Sequence, residues 1–180
     1  PSYTQLGMAA LLPHKALAHS HDGDPVLVDG QRSDGTANRN KVLAPVDGHA
    51  IQAEEVLAMP RSELRELYGA HQVLYVYHDR IDAVGDKART ERQVFEAAND
   101  ALRDLVDLIK RLTNANATNI IVTADPGFLY QDTALADASY LSTKPQGDDL
   151  VATNRRYVLG RGLKDDPAFR KFEPEQLGLS

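Results

Sequence analysis

Between residues 90 and 112 the chain places Val94, Ala98, Ala101, Leu105, Leu108 and Leu112 three or four positions apart, and Leu102 and Ile109 widen the same stripe. Apolar side chains at that spacing share one face of a helix, so a long amphipathic helix is predicted over 90–112. Thr90 and Gln93 fit a capping box at its start, and the polar stretch 114–119 supplies its stop. On either side, 72–77 (QVLYVY) and 119–123 (NIIVT) are short, β-branched or aromatic and continuously apolar, as in strands buried on both faces. Strand, helix and strand in that order make a βαβ unit, whose right-handed crossover delivers both strand ends to one edge of a parallel sheet.

Shorter signals surround this unit. Residues 62–68 and 4–12 read as helices, the second stopped by Pro13. Residues 18–46 are rich in Gly, Asp, Asn and Ser around a short apolar run at 26–28, which suggests a loop-and-hairpin excursion. Further on, 146–149 looks like a turn and 156–159 like a final strand. There is no internal repeat and no low-complexity stretch. The pattern predicts one α/β domain over 1–180, a parallel sheet with helices on both faces. A first helix with no strand leading into it, and so few strands for the length, suggest a core lacking parts of a larger domain.

Composition narrows the setting. With 180 residues, 42% of them hydrophobic, the chain can bury an ordinary core without staples. The absence of cysteine excludes a disulfide framework and thiolate zinc sites, points to a reducing compartment, and leaves His, Asp and Glu as metal ligands. No apolar run approaches the roughly 20 residues of a membrane span, and 1–13 lacks the features of a secretory signal. A cytoplasmic protein is therefore expected. A net charge of -6 argues against nucleic-acid binding over the whole surface. Two basic groups, Arg32/Arg39/Lys41 and Arg155/Arg156/Arg161, offer local contacts to phosphate, although short groups of this kind are more often solvated surface.

Both central strands run into aspartates, and a parallel sheet binds ligands outside the carboxyl ends of its strands. Asp82 and Asp86, in DAVGD, can chelate one hard divalent cation, though Asp-x-x-Gly-Asp is also an ordinary turn sequence. Asp125, in TADPG, ends the second strand; Pro126 disfavours helical geometry before it, so Asp125 is expected in an extended or turn conformation. Thr4 stands at a helix start, where free amides favour a bound phosphate and a nearby cation would activate its hydroxyl; capping is the commoner role. His78, just beyond the first strand, and His14 are the candidate imidazole ligands of a metal or a phosphate oxygen, against the commoner role of hydrogen-bonded structural histidines.

Five segments, PSYTQLGMAALLP from Pro1, NRNKVL from Asn38, VLYVYHDRIDAVGDK from Val73, NIIVTADPGFLYQ from Asn119 and NRRYVLG from Asn154, together resemble the PglZ family. That family is the phosphatase-like component of BREX phage-exclusion systems, within the alkaline phosphatase superfamily. The resemblance covers nearly the whole chain. It implies that Thr4 is the nucleophile, and that Asp82 and Asp86 hold one divalent metal, an aspartate replacing the histidine of many relatives. That replacement favours manganese or magnesium over zinc. It implies that Asp125 serves a second metal, but Pro126 stands where the family pattern carries a ligand histidine and offers no ligand atom. Ligands common in the superfamily at the end of a first strand and in a late His-Gly-Gly-like segment have no counterpart here, which implies a truncated core.

Two functions follow. In the first, the protein is a metal-dependent hydrolase of phosphate mono- or diesters, nucleic acid included, in bacteriophage resistance. Arg39, His78, Arg155 and Arg156 would contact the substrate phosphate. In the second, it is a noncatalytic scaffold that holds other phage-defence proteins, its metal site impaired by Pro126 and truncation. An uncovered sheet edge, where a leading strand would lie, would favour a homo-oligomer.

Overall fold

The computed structural model describes residues 3–20, 23–85, 94–125, 143–154 and 157–179. In chain order its elements are α1 (Thr4–Ala10), β1 (Leu17–Ser20), β2 (Gly23–Val28), β3 (Gln31–Arg32), α2 (Gly35–Leu43), β4 (Gly48–Gln52), α3 (Ala53–Ala58), α4 (Arg61–Gly69), β5 (Val73–Tyr77), α5 (Arg80–Gly85), α6 (Val94–Asn114), β6 (Asp149–Thr153) and β7 (Val158–Arg161). They fall into two compact units, one formed by 1–34 with 124–180 and the other by 35–123.

The first unit contains an antiparallel sheet in the order β1-β2-β3, and α1 packs on β2. Asp29 and Gly30 turn the chain between β2 and β3, both at positive φ (49° and 79°), the geometry of a two-residue Asp-Gly hairpin. The Asp29 carboxylate also accepts the backbone N–H of Lys15 and of Ala16, at 2.9 and 2.8 Å, which fixes the entry to β1. Those two donors hold its carboxyl below the usual carboxylate range, the Ala16 bond first. Tyr3, Leu6, Ala9, Leu12, Leu17, Val26, Val28 and Leu179 are buried in this unit. β6 and β7 form a separate antiparallel pair. The expected hairpin excursion is thus present, and the expected final strand lies at β7, two residues later than the sequence places it.

The second unit is built on a parallel pair, β4 and β5, in register from Gly48↔Val73 to Gln52↔Tyr77 and joined through α3 and α4. Alternation along β5 sends Leu74 and Val76 to one face, where they pack with Ile51, Ala53, Val56, Leu64, Leu105, Leu108 and Leu112 under α3, α4 and α6. The other face carries Tyr75 and Tyr77, whose rings stack 6.3 Å apart, and over Tyr77 lies Arg39 of α2. Helices therefore cover both faces of this small sheet. Asn40 covers its outer edge: its amide accepts the N–H of Ala50 at 2.6 Å and donates to the Ala50 carbonyl at 3.1 Å, supplying the bonds a further strand would have made.

Two expectations are corrected. Residues 119–123 are not a strand and, among the described residues, pair with no sheet; Ile121 is 90% exposed, and β5 pairs in parallel with β4. Strong β-propensity makes a strand only where a ladder partner is within reach, and among the described residues none pairs with 119–123. The apolar stripe of α6 is also narrower than read. Ala101 and Leu108 are buried, but Leu102 is 62% exposed and Ile109 is exposed as well. Thr90, Gln93 and the helix start they define lie outside the described residues.

Candidate functional site

In the first unit the candidate nucleophile is held from two sides. Thr4 is the first residue of α1 and half-buried, and Tyr3, in extended geometry, takes the cap position expected for Thr4. The Tyr3 ring stacks on His19 of β1, with centroids 5.8 Å apart, and leans on Tyr157, at 4.7 Å, so the start of the helix is wedged in place. One turn on, Gly7 lies against Asp125: a Cβ added at Gly7 would come within 2.9 Å of the Asp125 Cβ. Any side chain there would push the two segments apart. Asp125 sits in a bend, and its Oδ2 is shielded from solvent. Thr4 and Asp125 are therefore carried by segments in direct contact.

In the second unit the carboxyl end of β5 gathers charge on both faces of the sheet. Arg39 is only 9% exposed, and its guanidinium carbon lies 4.2 Å from the centre of the Tyr77 ring, a cation–π contact. Burial pushes the Tyr77 phenol above its ordinary value, against the pull of that guanidinium. Beside it, Gln52 at the end of β4 donates to the Thr36 hydroxyl of α2 at 3.0 Å. On the opposite face His78 meets Asp104 of α6, Nε2 to Oδ2 at 3.0 Å, and the same oxygen accepts Arg80 Nε at 2.6 Å. His78 first and Arg80 next hold the Asp104 carboxyl below the usual range.

The remaining candidates divide as follows. Asp82 is exposed in the first turn of α5, where a carboxylate complements the helix dipole. Asp86, Pro126, Arg155 and Arg156 lie outside the described residues. At His14 the ring Nδ1 hydrogen-bonds the Leu12 carbonyl oxygen at 2.7 Å. Arg32 forms a two-pronged pair with Asp34, at 2.9 Å through both nitrogens. Asp82, Asp86 and Asp125, the candidate carboxylate donors, suit a hard cation. Among the described residues, however, no group of three or more His, Asp or Glu side chains is placed to hold one. Nor is any described helix long and apolar enough to cross a membrane.

Sequence reasoning missed Gly7, Tyr77 and Asp104. Gly7 was detectable, because a glycine inside a helical pattern marks a close approach. Asp104 carries no local signal: it is one acid among several along α6, and only the packing of α6 on β5 singles it out.

Comparison with known proteins shows the family. The family model for the BREX system PglZ alkaline phosphatase-like domain matches residues 1–180. The chain is 41% identical over 170 residues to the alkaline phosphatase-like protein BrxZ of Escherichia coli O9:H4 (strain HS), covering 92% of this chain and 19% of that protein. It is 41% identical over 162 residues to the alkaline phosphatase-like protein PglZ of Bacillus cereus (strain H3081.97), covering 88% of this chain and 19% of that protein. The chain thus spans about a fifth of the length of these curated relatives. No solved structure gave a significant match. With a family model matched from its first residue to its last, the chain belongs to the PglZ family of alkaline-phosphatase-like BREX domains.

Proposed function

We propose that this domain is part of a metal-dependent hydrolase of phosphate mono- or diesters that acts with other BREX proteins in phage resistance, nucleic acid being a candidate diester. The observation that carries the reading is the contact of α1 with Asp125 through Gly7, which ties the segment bearing Thr4 to a shielded carboxylate. In the proposed reaction the Thr4 oxygen attacks phosphorus in line. A Thr4 O–P bond forms, the P–O bond to the alcohol breaks, and the alcohol leaves with a proton; water then cleaves the new bond and restores the hydroxyl. Arg39, His78, Arg155 and Arg156 are the proposed contacts to the phosphate oxygens, where fixed positive charge lowers the barrier most. Asp82 and Asp86 are the oxygen donors proposed for one divalent cation, manganese, magnesium or zinc, and Asp125 is a donor proposed for a second. A bound cation would supply charge neutralisation and a more acidic hydroxyl.

The experiment is turnover of a generic phosphate monoester and diester by the intact protein and its Thr4→Ala variant. Loss of at least about 100-fold is expected, the scale of removing a covalent nucleophile; unchanged turnover would sink the assignment. A second reading, a noncatalytic scaffold for the defence assembly, is favoured by Pro126, which stands where the family pattern carries a ligand histidine. Under the scaffold reading the wild type has no turnover and Pro126→His gains none. Under the hydrolase reading the wild type turns over and Pro126→His raises the rate by orders of magnitude.

A further inference from the structure

We propose that Asp104 is a positioning residue, which holds the His78 imidazole by Nε2 and so reserves Nδ1 as the ring nitrogen that hydrogen-bonds a phosphate oxygen at the carboxyl end of β5. The choice of phosphate as ligand rests on the hydrolase reading; the positioning does not.

The geometry follows from the period of the strand. His78 directly follows β5, and the alternation that packs Leu74 and Val76 against the core cluster turns His78 to the same side. On α6, Asp104 lies three residues after Ala101 and four before Leu108, both buried, which sets it on the flank of the packed face. The two side chains meet at 3.0 Å with little solvent access, 13% for His78 and 20% for Asp104. Packing from both elements thus holds the imidazole in one orientation.

The protonation follows from the carboxylate. Arg80 donates to the oxygen that His78 also reaches, at 2.6 Å, and the two contacts keep Asp104 ionised. An ionised carboxylate only accepts hydrogen bonds, so the ring nitrogen facing it must carry its proton. In the neutral ring Nδ1 is then the bare nitrogen. In the cationic ring Nδ1 carries a second N–H, which can donate to an anionic oxygen. This is the division of labour in which a carboxylate fixes the tautomer and direction of a working imidazole without itself reacting. Asp104 from α6 meets the ring, Arg80 from α5 meets the same Asp104 oxygen, and Asp79 is adjacent along the chain.

The test reads the ring directly. Nitrogen NMR of His78 in the 180-residue chain should show Nε2 protonated and Nδ1 bare in the neutral form. Titration with inorganic phosphate should perturb Nδ1 more than Nε2. Asp104→Asn should mix the tautomers and weaken phosphate binding roughly tenfold or more, the range of one hydrogen bond to a charged group; Asp104→Glu should restore both. A neutral ring with its proton on Nδ1 overturns the proposal even if the variants fail to fold, because that measurement needs only the wild type. The expected tautomer without any response to phosphate also overturns it, reducing the pair to a structural contact. Either failure leaves the hydrolase reading standing, since that is decided by the turnover of Thr4→Ala.

Discussion

At Gly7 a single missing methyl group sets the relation between α1 and Asp125. A Cβ built there would lie 2.9 Å from the Asp125 Cβ, closer than carbon atoms approach without displacement. Gly7→Ala should therefore cost about 1–3 kcal/mol of overpacking. The small gain in helix propensity from alanine, about 1 kcal/mol, offsets only part of that. Thermal unfolding of the variant checks the sign: a lower melting temperature is expected, and an unchanged or higher one would mean that the contact is loose. Thr4 and Asp82 could be picked out from the sequence because strand ends and helix starts concentrate chemistry, and Arg39 as one of a short basic group. Their surroundings could not. Nothing local shows that Arg39 lies over Tyr77, or that His78 finds Asp104, residues 26 apart in the chain.

Helices were more legible than strands, and the reason is visible in α6 and β4. The 3.6-residue stripe of α6 survives in the structure as Ala101, Leu105 and Leu108 because it repeats over six turns. β4, by contrast, is GHAIQ, with a single large apolar residue, and becomes a strand through its backbone pairing with β5. Residues 119–123 show the converse, an apolar run without a ladder. The two sides of α6 give a measurable contrast. Leu108 is buried in the core cluster while Leu102 is 62% exposed. Leu108→Ala should cost about 2–5 kcal/mol, whereas Leu102→Ala should change stability by no more than about 0.5 kcal/mol. Denaturant titration of both variants decides this; comparable losses would mean that both side chains are buried in solution.

For the whole molecule, the division into two units was not legible. The resemblance to the PglZ family is carried by five segments scattered through both, so a sequence pattern that looks continuous along the chain crosses a structural boundary twice. Thr4 and Asp125 belong to one unit, and Arg39, His78 and Asp82 to the other. The claim on which the functional account turns is that Thr4 accepts a phosphoryl group. Mass spectrometry of the intact protein, quenched in acid during turnover of a phosphate monoester, tests it directly. A phosphoryl adduct on the peptide containing Thr4, absent in Thr4→Ala, is the expected result. Turnover with the adduct on another residue, or with none at any time, would contradict it.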